Sequence, residues 1–106
     1  ERGGPNHVGN FCLAPVHGDT RTGKLRYLNS YWYIGHLSKF IRPGARRVAC
    51  TSNDDTLLAT AFRNPDGRLA VVVLNKTEKA VPFDLWLDGR SAKTTSPARS
   101  IVTLVY

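Results

Sequence analysis

Apolar positions recur along the chain with two different periods. Tyr31, Ile34, Leu37 and Ile41 fall at helical spacing, and Tyr33 and Phe40 widen the stripe. The spacing predicts a helix over 30–41. Asn29 or Ser30 can cap it, because either side-chain oxygen accepts an orphan backbone N–H. Lys39 and Arg42 sit near its end, where the dipole favours cations, and Pro43-Gly44 stops it. A stripe that wide must pack on something large. Without that surface, Tyr31, Ile34, Leu37 and Ile41 are expected to form an exposed patch.

From Ala45 the period changes to 2. Val48 and Cys50 alternate with Arg47, Ala49 and Thr51, and Leu57 to Phe62 reads as a strand. Leu69 to Leu74 is apolar on both faces and so reads as a central buried strand. Between these two, Asn64-Pro65-Asp66-Gly67 predicts a type I turn closing a hairpin. Val81, Phe83, Leu85 and Leu87 alternate strictly with Pro82, Asp84, Trp86 and Asp88, after which Asp88-Gly89 turns. Ile101, Thr103 and Val105 against Val102, Leu104 and Tyr106 make a closing strand. Short strands at such intervals predict a mainly β chain, an antiparallel β-sandwich. Residues 1–28 read as irregular chain with short extended pieces. Gly and Pro break them, Asp19 to Gly23 turns, and Leu25 to Leu28 is extended.

The chain has 106 residues and a mass of 11.7 kDa, enough for one domain or less. A hydrophobic share of 42% with 22% charged residues excludes a disordered or collagen-like chain. Leu69 to Leu74 is the longest unbroken apolar run, far short of the ~20 residues a membrane span needs, so no stable membrane insertion is expected. The chain contains no Met and opens abruptly at Glu1-Arg2-Gly3-Gly4-Pro5, which leads us to expect a piece of a larger protein. The net charge of +7 raises nucleic acid as a partner. The basic residues are scattered, however, and only Arg42, Arg46 and Arg47 cluster. No recognition-helix or RNA-binding sheet motif accompanies them, so no nucleic-acid partner is expected. Cys12 and Cys50 are expected as buried free thiols in strands or loops, and neither metal nor cofactor is expected.

Candidate chemistry is sparse. Glu1 and Glu78 are the only Glu residues, and five of the six Asp sit at or beside predicted turns. No two carboxylates are spaced to share a site, and no Gly-x-Ser-x-Gly elbow accompanies His7, His17 or His36. His36, in mid-helix, reads as a packed or interfacial histidine. Asn6-His7-Val8-Gly9-Asn10-Phe11 has the composition of a sugar site: amides pair with hydroxyls, and a ring face covers the C–H face of a pyranose. A loop folded on its own Asn side chains has the same composition.

Several runs together carry a resemblance. They are Gly3-Gly4-Pro5-Asn6-His7-Val8-Gly9-Asn10-Phe11, Ala14-Pro15, and Tyr31 through Ala45. Asn64-Pro65-Asp66-Gly67, Ala70 through Asn75 and Pro97 through Ile101 follow. The chain resembles the C-terminal end of glycoside hydrolase family 30, which includes glucosylceramidases, β-glucosidases and β-1,6-glucanases. The resemblance implies a (β/α)8 barrel with a side β-sandwich. Residues 1–44 would be the end of the barrel, its last active-site loop and helix, and residues 45–106 the β-sandwich domain. It implies that Asn10 and Phe11 line the glycone pocket, with Cys12 beside them and His7 at the rim, where animal glucosylceramidases carry Trp. Leu13 departs from the family, whose members commonly carry Asp there.

The family retains configuration through two Glu residues on the fourth and seventh barrel strands. Neither Glu1 nor Glu78 matches them, so the resemblance implies that no residue of this chain is catalytic and that the chain is inactive alone. A β-glucoside or glucan would be bound through the parent barrel, on which these residues would pack, in a secreted or lysosomal-type protein. The alternative is a free-standing carbohydrate-binding β-sandwich module, which the isolated chain would reveal by binding glucans.

Overall fold

The computed structural model of the chain describes His7, Gly9 and residues 12–106. It comprises two compact units, Glu1–Gly35 and His36–Tyr106.

In the first unit, β1 (Val16–Gly18) and β2 (Leu25–Tyr27) form an antiparallel hairpin, with Val16 opposite Tyr27. Asp19 builds the connecting turn: its carboxylate accepts the backbone N–H of Arg21 and Thr22 and the Thr22 hydroxyl. This is the behaviour expected of Asp in a turn. The extended pieces read from the sequence are therefore paired strands. Tyr27, Tyr31 and Trp32 stack on one another, at centroid distances of 4.8 Å for Tyr27–Tyr31 and 5.1 Å for Tyr31–Trp32.

Helix α1 (Asn29–Phe40) lies within a residue of its predicted bounds and spans the boundary between the units. Its start differs from expectation. Among the described residues neither Asn29 nor Ser30 caps through its side chain, and the Leu28 carbonyl accepts the Tyr31 N–H instead. Tyr31, Ile34 and Leu37 of the predicted stripe are exposed, while Ile41 just beyond the helix is half-buried. Gly35, His36 and Phe40 are the half-buried positions within the helix.

The second unit holds six strands: β3 (Arg46–Val48), β4 (Leu57–Arg63), β5 (Leu69–Asn75), β6 (Val81–Leu87), β7 (Arg90–Ser96) and β8 (Ser100–Val105). Four form an antiparallel sheet in the order β3-β4-β5-β8, and β6-β7 form a second, two-stranded sheet. β5 is central and buried on both faces, as its unbroken apolar run predicts. Leu57, Ala61, Val71 and Val73 make the core of one face, against which Val81, Phe83 and Leu85 of β6 pack. The period-2 alternation of β6 thus becomes the contact between two sheets, and the sandwich follows from it.

Two tight turns set the registers. The Gly67 N–H reaches the Asn64 carbonyl at 2.9 Å and Gly67 has φ of 86°, which gives a type I turn followed by a left-handed residue. Asp88 and Gly89 both have positive φ, 48° and 78°, the geometry of a two-residue type I′ turn. That turn pairs β6 with β7, a strand absent from the sequence reading. Arg90-Ser91-Ala92-Lys93-Thr94-Thr95-Ser96 has almost no apolar content to alternate.

Candidate functional site

The residues predicted to line a sugar pocket fall in the first unit. His7 lies in a turn and is exposed, and Cys12 is exposed in the segment before β1. Asn10 and Phe11 lie outside the described residues. Among the described residues no hydrogen bond joins His7 to Cys12. Cys12 and Cys50 are both free thiols, Cys12 exposed against the expected burial, and burial pushes the Cys50 thiol up, away from a reactive thiolate. His17 sits in β1 opposite Arg26, half-buried.

Asp19, Asp54, Asp66 and Glu78 hold local structure. Asp54 closes the turn before β4, its Oδ1 accepting the Thr56 N–H at 2.8 Å and the Thr56 hydroxyl. Asp66 holds the β4–β5 turn by accepting the Arg68 N–H and guanidinium. Hydrogen bonds to Thr22, Thr56 and Arg68 respectively hold Asp19, Asp54 and Asp66 below the usual carboxylate range. A general acid needs the opposite shift. Glu78, in the turn after β5, is exposed and paired with Arg99.

Two asparagines organise the second unit. Asn64 donates to the Phe40 carbonyl and accepts the Arg42 N–H, both at 2.9 Å, so the hairpin turn holds the end of α1. His36 Nδ1 lies 2.9 Å from Thr103 Oγ1 and ties the helix to β8 one turn earlier. His36 is therefore the packed histidine expected from its mid-helix position. Asn75, at the end of β5, spends its amide on the carbonyls of Lys79, Ser96 and Pro97. Nothing in the sequence marks these two asparagines as buried, since Asn in or near a turn is ordinarily a surface residue.

An open cleft of about 1140 Å³ separates the four-stranded sheet from β6. Leu57, Ala61, Val71 and Val73 form one wall and Phe83 and Leu85 the other, and Cys50, Asp54 and Asp55 also line it. The cleft is the incompletely filled interior of a sandwich whose second sheet has two strands.

The model of the glycosyl hydrolase family 30 beta sandwich domain matches residues 44–104. Lysosomal acid glucosylceramidase of Mus musculus is 38% identical over 98% of this chain and 21% of its own length. The crystal structure of SrfJ from Salmonella typhimurium superposes with a TM-score of 0.91 at 36% identity, over 98% of this chain and 23% of that one. The endo-beta1,6-glucanase BT3312 superposes with a TM-score of 0.82 at 29% identity, over 94% and 23% respectively. The chain thus spans about a fifth of the length of the curated relatives it matches.

Proposed function

The chain belongs to glycoside hydrolase family 30, and from that membership we propose that it serves as the C-terminal part of a longer retaining β-glycosidase that hydrolyses β-glucosidic bonds. In this reading residues 45–106 are the side sandwich, and residues 1–44 are the last active-site loop and helix of the catalytic barrel. The supporting observation is the extent of the similarity to a glucosylceramidase. It runs through 98% of the chain and so takes in residues 1–44 as well as the sandwich. The exposed Tyr31, Ile34 and Leu37 are then the helix's barrel-facing side.

The catalytic carboxylates are assigned outside this chain. Retention needs a nucleophile about 5 Å from a carboxylic acid. Here Glu78 is spent on Arg99, and hydrogen bonds hold Asp19, Asp54 and Asp66 ionised. The purified chain is expected to show no turnover of an aryl β-glucoside. The protein that carries it is expected to hydrolyse that substrate and release the β-anomer first, as followed by NMR. Turnover by the chain alone would overturn the assignment.

Within that protein Asn10 hydrogen-bonds the glycone or a catalytic Glu, Phe11 and Cys12 line the pocket beside it, and His7 lies at the rim. Asn10→Ala is expected to lower kcat/KM by about tenfold or more, the loss of one hydrogen bond to a charged group at ~1.5–3 kcal/mol. Steady-state kinetics on the same substrate check this, and an unchanged kcat/KM would remove Asn10 from the pocket.

A further inference from the structure

We propose that the solvent face of the β6–β7 hairpin binds glycan, with Trp86 as its stacking platform and a neutral β-glucan as its ligand. The choice of glucan rests on the reading above.

Strand alternation puts Val81, Phe83 and Leu85 against the core, so Pro82, Asp84 and Trp86 face away from it. Trp86 is 70% exposed, the most exposed of the large apolar side chains among the described residues. Its cross-strand partner is Ser91, too small to cover an indole. Among the described residues Trp86 stacks on no other aromatic ring, unlike Trp32, whose ring lies against Tyr27 and Tyr31. An uncovered indole face is a large apolar plate bordered by water.

The polar surroundings decide the chemistry of the occupant. Asp84 and Lys93 are direct cross-strand partners, and Pro82 opposes Thr95. Directly opposed side chains in such a ladder lie ~5 Å apart and diagonal ones ~7–8 Å, so Asp84, Ser91 and Lys93 ring the indole within reach of one bound sugar. The face holds one negative and one positive head group, which makes it neutral and suits an uncharged ligand. Among the described residues Asp84 and Lys93 form no ion pair with each other or with a third group. The carboxylate is free to accept from sugar hydroxyls and the ammonium to donate to them. A flat aromatic plate with a neutral border of donors and acceptors matches a pyranose, which has a C–H face and an equatorial rim of hydroxyls.

The test uses the full-length protein that carries this chain, with insoluble β-1,6-glucan and an aryl β-glucoside as probes. Because Trp86 is exposed, its replacement leaves the core intact. Trp86→Ala is expected to weaken retention on the insoluble glucan by about tenfold, the worth of one aromatic contact. It is expected to leave kcat/KM on the aryl glucoside unchanged, and Trp86→Phe should retain part of the binding. Equal retention of wild type and Trp86→Ala would overturn the proposal, as would wild-type protein that does not bind the glucan. A parallel fall in aryl-glucoside turnover would also overturn it, since the residue would then act through the catalytic pocket or the fold. Absence of aryl-glucoside turnover in the wild type would instead count against the β-glucosidase reading, with glucan retention still scored on its own.

Discussion

Val72→Asp is expected to lower stability by ~3–5 kcal/mol, most of what a domain of this size has to lose. Val72 is 5% exposed at the centre of β5, between Thr60 on β4 and Thr103 on β8. It lies on the face opposite the Val71 and Val73 cluster. Thr103 beside it is already engaged by His36. An aspartate there carries its charge into a site without a cation paired to it, and the desolvation cost is not recovered. Leu58 shares that face but is 49% exposed, so Leu58→Asp should change stability by only about 0.5 kcal/mol. Urea denaturation followed by circular dichroism checks both. Similar midpoints for the two variants would mean that this face of the sheet is not buried.

Asn75→Asp, an almost isosteric change, is expected to cost about 3 kcal/mol or more at neutral pH. Asn75 is 1% exposed, and its Oδ1 accepts the Thr77 N–H and hydroxyl while its Nδ2 faces three carbonyl oxygens. A carboxylate keeps the two acceptor bonds and turns the other three contacts into oxygen facing oxygen, in a buried site. The pH dependence carries the sign. Burial among carbonyls raises the folded-state pKa of the introduced Asp above its unfolded value of ~3.9. Its destabilisation is therefore largest above the folded pKa and shrinks as pH falls toward ~4, where the protonated acid returns one donor. Denaturation midpoints of wild type and variant measured from pH 7 down to 4 should converge. A constant gap would show that lost packing, rather than lost donors, sets the cost.

The asparagines and the strands differ in how far local sequence reports them. The alternation of Val81, Phe83 and Leu85 with Pro82, Asp84 and Trp86 is a local property, because the side-chain period of a strand equals the period of the pattern. The same holds for the two-faced apolar run of β5, the Asn64–Gly67 turn and the span of α1, each set by residues within a few positions. The long motifs that run through Tyr31–Ala45 carry the family, because a specific run of residues is recognisable without knowing its contacts.

Pairing and partner choice are not local. β7 is a strand because Asp88-Gly89 folds it onto β6, and its inward Ala92, Thr94 and Ser96 are too small and polar to announce a buried face. His36 is packed because Thr103 reaches it from 67 residues away, while the more apolar Leu37 beside it stays exposed. Asn75 is buried because the carbonyls of Ser96 and Pro97 come to it from 21 and 22 residues away. A polar side chain is stable in a core only where such partners converge, and their convergence depends on how the strands are ordered and turned, which no window of neighbouring residues contains.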